Sequence, residues 1–209
     1  MNNIIMVVDD TKVLANLYCN FLKKSGYGSV AAYSSRECLT LLEEIVPDLI
    51  LLDIVMEPVD GWETLLKIRE DERFLDTAVI MMTAKSIVPG DIISYGTLID
   101  GYVMKPVKPI ELIDLIDIAD RKKKESSGLR TSAEKSGVEK REIDLFMRNL
   151  KEYGVILELR DMIFKIHFPL EDSGEYDEEF LAGMAQVDNM INERRSAINA
   201  FKSIYSDIE

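Results

Sequence analysis

The sequence predicts a doubly wound α/β sheet of five parallel strands followed by an all-α helical hairpin. Short continuous apolar runs end abruptly in polar residues, amphipathic helical segments alternate with them, and beyond residue 130 only helical periodicity remains. Ile4-Ile5-Met6-Val7-Val8 stops at Asp9-Asp10, Leu49-Ile50-Leu51-Leu52 at Asp53, and Ala78-Val79-Ile80-Met81-Met82 at Thr83. Runs that are apolar at every position fit parallel strands buried on both faces, whereas a half-exposed strand would alternate. Weaker strands at about Val30 to Tyr33 and Gly101 to Met104 complete the set. Between them, Leu14, Leu17 and Phe21 recur at helical spacing, Ser34 or Ser35 can cap a helix carrying Leu39 and Leu42, and Leu65 and Ile68 mark a third. A fourth helix starts late, after Ile87-Val88-Pro89-Gly90, and Gly96 ends it early; a last one follows Pro109 with Ile110, Ile113 and Ile116 along it. Ligands of such a sheet sit beyond the carboxyl ends of its strands, where all the polar stops would lie.

Of the 209 residues, 47% are hydrophobic and 30% charged, as in a globular chain, and no apolar run approaches the roughly 20 residues of a membrane helix. The N-terminus lacks a basic region followed by an apolar stretch and a cleavage site, so the expected location is cytoplasmic. Cys19 and Cys38 lie within apolar helical patterns and lack CxxC spacing. They read as buried side chains in a reducing compartment rather than as a disulfide or metal ligands. Residues 1–124 carry 14 basic and 20 acidic side chains and residues 125–209 carry 11 and 18, a net −13 split as −6 and −7. Duplex binding depends on Lys and Arg neutralising phosphates, so neither half favours DNA as a partner.

Arg121-Lys122-Lys123-Lys124 closes the last helix of the sheet domain with cations, and Glu125-Ser126-Ser127-Gly128 turns to linker composition. The expected organisation is a domain over 1–124, a linker over 125–137 and a helical hairpin over 138–209. The basic run is alternatively a nucleic-acid or membrane contact.

Asp9, Asp10 and Asp53 would converge in one cleft, and three carboxylates stay ionised together only if a cation or proton offsets their repulsion. A divalent ion that prefers oxygen ligands, Mg²⁺ or Mn²⁺, meets that need. The alternative is that Asp9-Asp10 merely cap the helix beginning near Thr11. Further spacings go beyond a cap: Asp53 precedes Met56 by three positions and Asp60-Gly61 by seven and eight, Thr83-Ala84 closes the fourth strand, and Lys105-Pro106 closes the fifth. Together these strand ends resemble the receiver domain of two-component response regulators, over about the first 124 residues.

The resemblance implies a flavodoxin-like fold in which Asp53 accepts a phosphoryl group from a sensor histidine kinase or phosphotransfer protein. It implies Mg²⁺ (or Mn²⁺) on Asp9, Asp10, Asp53 and the Val55 carbonyl, with the Thr83 hydroxyl and the Lys105 ammonium on the phosphoryl group. Tyr102 would be the switch aromatic, turning inward into space vacated by Thr83, and Pro106 would follow a cis peptide that aims the Lys105 loop. No enzymatic activity is implied beyond self-phosphorylation and slow autodephosphorylation. One departure is local: Glu57 follows Met56 where the family commonly has proline, which comes one place later at Pro58. A carboxylate so near the acceptor bears on the lifetime of the phosphoryl group.

Beyond residue 130 the resemblance ends. Ile143, Leu150, Leu157 and Phe164 recur every seven residues, with Phe146, Met147 and Tyr153 between them. Met184, Ile191, Ile198 and Tyr205 interleave with Val187, Arg194, Phe201 and Ile208, and Pro169 with Glu171-Asp172-Ser173-Gly174 separates the two series. An isolated hairpin buries little, so it either pairs with a second copy into a four-helix bundle or folds back on the first domain. A DNA-binding regulator with a divergent output is an alternative, although two long acidic helices lack a basic reading helix. His167, the single histidine, is an alternative phosphorelay site; it lies between Ile166 and Phe168, directly before Pro169, which also suits an ordinary helix-end histidine. This half offers no nucleophile-base pair, metal cluster or glycine-rich phosphate loop.

Overall fold

The computed structural model describes residues 4–167 and 176–205. The chain divides into two units, Met1–Lys85 with Leu98–Asp117, and Ser86–Thr97 with Ile118–Glu209.

The first unit is built on five parallel strands, β1 (Ile4–Val8), β2 (Gly28–Ala32), β3 (Leu49–Asp53), β4 (Ala78–Thr83) and β5 (Gly101–Met104), in the order β2-β1-β3-β4-β5. Its helices are α1 (Lys12–Lys24), α2 (Ser35–Glu44) and α3 (Gly61–Arg69), with a short 3₁₀ turn at Glu72–Phe74. Alternate strand residues face opposite ways. Ile5, Val7, Leu49, Leu51, Ile80 and Met82 form one core with Ala15, Tyr18, Cys19 and Leu22 of α1, while Met6 reaches the other side to touch Cys38 of α2. Both sheet faces are therefore covered, which is why the strands read as continuous apolar runs.

The α1 stripe is rotated relative to the sequence expectation. Leu17 is 51% exposed and its neighbour Tyr18 is buried, because the side that meets the sheet also carries the small residues Ala15 and Cys19. Helix α2 starts on Ser34, whose hydroxyl accepts from Glu37 N–H at 3.1 Å, while the Glu37 carboxylate accepts from Tyr33 N–H at 2.9 Å. Asp60 caps α3 by accepting from Glu63 N–H at 2.8 Å. The next residue must be glycine, since a Cβ at Gly61 would overlap the backbone carbonyl of Asp53.

The second unit contains α4 (Pro89–Tyr95), the part of α5 (Pro109–Lys135) from Ile118 onward, α6 (Lys140–His167) and α7 (Glu178–Ile204). Most of the segment expected as a linker, residues 125–137, is helical: α5 continues to Lys135. Two Ser-Gly pairs compete for the stop, and the second wins. Gly137 takes a φ of 78°, its N–H reaches the Glu134 carbonyl at 3.1 Å, and Val138 N–H reaches the Ala133 carbonyl at 3.2 Å. That pair of bonds is a Schellman cap, closed by packing of Ala133 and Val138 with Ile143. Gly128, in contrast, lies in a helix braced by the ion pairs Lys122–Glu158 and Arg130–Asp144, and tertiary packing overrides its weak propensity.

Helices α6 and α7 run antiparallel, since Glu142, Glu152 and Arg160 meet Tyr205, Arg194 and Asp188 in reverse order. The hairpin is thus two of three long helices. Arg194, expected on the α7 seam, is tied to Glu152 at 3.0 Å. On α6 the buried positions are Ile143, Phe146, Val155, Ile156, Leu159 and Ile163, a wider stripe than one seven-residue series, because α6 meets more than one neighbour. Pro169, the segment 171–174 and Ile208 lie outside the described residues. Among the described residues no helix is long and apolar enough to cross a membrane.

Candidate functional site

The strand order reverses direction of winding between β1 and β3, and it is there that three acidic residues meet. Asp9 extends β1 by donating its N–H to the Ala32 carbonyl at 3.1 Å. Its side chain then does two jobs: Oδ1 accepts from Thr11 N–H at 2.9 Å, supporting the entry to α1, and Oδ2 takes the Lys105 ammonium at 2.6 Å. Capping and charge pairing are not alternatives here. Asp10 stays exposed and accepts from Glu57 N–H at 3.2 Å. Asp53 ends β3, where its Oδ1 accepts from Val55 N–H at 3.2 Å and its Oδ2 lies 2.7 Å from Lys105 Nζ.

One carboxylate oxygen from each of Asp9, Asp10 and Asp53 falls within 4.8 Å of the others, close enough to share a cation. Asp53 and Lys105 face an open cleft of about 370 Å³ with Asp10, Val55, Met56 and Glu57. Lys105 arrives there from β5, its N–H bonded to the Thr83 carbonyl at 2.7 Å, and its peptide to Pro106 is cis. Burial would depress the Lys105 pKa, but its hydrogen bonds to Asp53 and Asp9 outweigh this and hold the ammonium above its usual value. Burial lifts the Asp53 carboxyl above the usual carboxylate range, with Lys105 opposing it and the nearby Asp9 charge adding to it. Two buried carboxylates and a third at the rim against one ammonium leave the cleft net negative. Its oxygen-only donor set suits Mg²⁺ or Mn²⁺.

Thr83 is buried behind this cleft, and its hydroxyl oxygen accepts from Lys85 N–H at 3.0 Å, which leaves the hydroxyl proton available to another acceptor. Tyr102, expected as the switch aromatic, is buried on β5. The residue is 9% exposed, and its hydroxyl donates to the Lys85 carbonyl at 3.0 Å, which satisfies the polar tip. Sequence reasoning overlooked Tyr18, which is buried and donates its hydroxyl to the Val107 carbonyl at 3.2 Å, two residues beyond Lys105. A polar-tipped aromatic beside the expected α1 stripe was the available signal. His167 ends α6, half-buried, with Nε2 enclosed and lacking a hydrogen-bond partner among the described residues.

Residues 5–117 match the family described as "Response regulator receiver domain". A curated protein from Synechocystis sp. (strain ATCC 27184 / PCC 6803 / Kazusa), the "DNA-binding dual master transcriptional regulator RpaA", is 31% identical over 102 residues. That match covers 49% of this chain and 42% of the relative, so less than half of the relative's length is spanned. Among solved structures, a CheY-like response regulator receiver domain protein from Methanospirillum hungatei JF-1 is 28% identical with a TM-score of 0.54, covering 60% of this chain and 99% of its own. The receiver domain of the Francisella response regulator 1452 is 27% identical with a TM-score of 0.51, covering 56% and 96%.

Proposed function

The chain belongs to the response regulator receiver family, and on that premise we propose that Asp53 accepts a phosphoryl group from a sensor histidine kinase or phosphotransfer protein in the cytoplasm. The observation that carries this is the shared grip of Lys105 on Asp53 and Asp9 beside Asp10. Val55 N–H on Oδ1 and Lys105 on Oδ2 hold the Asp53 carboxylate in one orientation. An Asp53 oxygen attacks phosphorus, the new O–P bond forms as the P–N bond to the donor imidazole breaks, and the imidazole leaves with the electron pair. Asp9, Asp10, Asp53 and the Val55 carbonyl would hold Mg²⁺ (or Mn²⁺), which supplies charge stabilisation to the phosphoryl oxygens when bound. Lys105 offsets the remaining charge, and Thr83 offers its hydroxyl to a phosphoryl oxygen. The chain's own chemistry is confined to self-phosphorylation and slow autodephosphorylation, with Glu57 at the mouth of the cleft bearing on the latter. Incubation with acetyl phosphate and Mg²⁺ should add the mass of one phosphoryl group to the intact protein, and Asp53→Asn should abolish it. Full labelling of that variant would overturn the assignment.

The helical unit then serves as an interaction module. A homodimer through α6 and α7 is supported by the roughly half-exposed Leu145 and Leu181 and the more exposed Ile204 on those helices. The α5 extension lessens the need for it, by giving the hairpin a third helix. Light scattering should report twice the monomer mass with or without beryllofluoride; a monomer in both would exclude the dimer.

The Synechocystis relative's name favours a DNA-binding regulator as second reading, but its match is confined to 102 residues, and residues 125–209 carry a charge of −7. Salt-dependent binding to promoter DNA would discriminate. A relay through His167 is disfavoured by the enclosure of its Nε2.

A further inference from the structure

Resting on the reading of the helical unit as an interaction module, we propose that the groove between α6 and α7 docks an acidic amphipathic helix of a partner protein. Its apolar side comes from α6. Of the seven-residue series there, Ile143 is buried, whereas Leu150, Leu157 and Phe164 are half-buried, as are Met147 and Tyr153 between them. Apolar residues at this spacing are how one helix receives another along its length, and here the row is left partly open. Leu157 lines an open cleft of about 320 Å³ with the buried Ile191 and with Arg160, Asp188, Asn192 and Arg195. Gly154 is a second sign. It follows Leu150 by four residues and precedes Leu157 by three, on the same side of α6, and a Cβ there would meet nothing within 4 Å. Glycine inside a helix is disfavoured relative to alanine. Gly183 makes room for the Pro89 ring, but nothing among the described residues requires glycine at 154, whereas close approach of a further helix does.

The polar side comes from α7 and sets the charge of the occupant. Asp188, Asn192, Arg195, Asn199 and Lys202 follow one another at steps of four and three, which places them in one row. Asp188 is taken up by Arg160 at 2.5 Å, and that guanidinium lies over the Phe164 ring, 4.6 Å from its centroid. Arg195 donates to the Asn192 side chain at 3.1 Å, and among the described residues neither it nor the exposed Lys202 meets a carboxylate. Cations left unpaired are a signal in residues 125–209, where 18 acidic side chains outnumber 11 basic ones. Carboxylates along the edge of an incoming helix complement them, as flanking charges do in paired helices. A second copy fits less well, since a two-fold pairing brings the same cations from both copies into one interface.

Fluorescence anisotropy with the full chain and two labelled peptides tests this. One peptide has three heptads with leucine at the two apolar positions and glutamate at the flanking ones, where like charge keeps it from pairing with itself; the other carries lysine in place of glutamate. The glutamate peptide should bind roughly tenfold more tightly than the lysine peptide, and Arg195→Glu combined with Lys202→Glu should reverse the order. Gly154→Gln should raise the thermal midpoint through helix propensity yet weaken binding several-fold, a combination that damage to the fold would not give. Equal binding of the two peptides, or an order unchanged by the charge reversal, overturns the proposal. Light scattering on Leu157→Glu separates its failure from that of the broader reading. If that substitution turns a dimer into a monomer, a second copy fills the groove, which overturns the acidic partner and leaves the interaction module standing. A monomeric parent that binds neither peptide overturns both.

Discussion

Lys105→Ala should slow phosphoryl acceptance by about 10²–10³-fold, the range for losing one electrostatic stabiliser of a transition state. It should also destabilise the metal-free protein by roughly 3–5 kcal/mol, the cost of stranding buried charge. Both effects come from one ammonium: it lies 2.6 Å from Asp9 and 2.7 Å from Asp53, and the side chains of all three are at most 13% exposed. Without it the pKa of Asp53, already raised by burial, climbs further. A folded-state pKa above the unfolded one means that the folded protein binds more protons between the two values, so stability falls as pH rises through that window. The variant should therefore be closest to the parent in acid and weakest at neutral pH, and Mg²⁺ should restore part of the difference by replacing the lost cation. Urea unfolding in chelator and in Mg²⁺, with acetyl phosphate labelling rates, checks each part. Parental midpoints and rates throughout would remove Lys105 from the site.

Arg69→Met should cost a similar 3–5 kcal/mol while leaving the chemistry of the folded protein intact. The guanidinium is almost enclosed, with its side chain 9% exposed. It donates to the carbonyls of Phe74 at 2.6 Å, Thr77 at 2.9 Å and Leu98 at 2.8 Å, and pairs with Asp100 at 3.0 Å. Asp100 in turn accepts from Val79 N–H at 2.9 Å, so Arg69 knits the entries of β4 and β5 together at the sheet edge opposite Asp53. Methionine keeps the apolar stem but removes one donor from each of three carbonyls and from the Asp100 carboxylate. The urea midpoint should fall sharply, while under native conditions the folded fraction should still label at Asp53. Loss of labelling in a fully folded variant would show that the two edges are not independent.

Much of the first unit was legible because its signals are local and redundant. Strands buried on both faces must be apolar at every position, and their polar stops necessarily gather at one edge when all run parallel. Asp9, Asp10, Asp53 and Lys105 do meet there. Thr83 sits behind them, and both it and the buried Tyr102 bond to the Lys85 backbone, a placement that adjacent-residue patterns do not encode. The phase of α1 was missed because Leu17 and Tyr18 are both plausible core residues, and only the small side chains facing the sheet decide between them.

What the sequence by itself determined is the identity and edge of the acidic cleft, since apolar runs, their polar ends and the Asp-Gly and Lys-Pro spacings are properties of neighbouring residues. Tertiary structure alone decided where α5 stops, what Arg194 pairs with, and that α4 keeps company with α6 and α7. The physical reason is the same in each case. Local preferences at a Ser-Gly pair or a seam position differ by about 1 kcal/mol, less than the packing and ion pairing that distant segments bring to them.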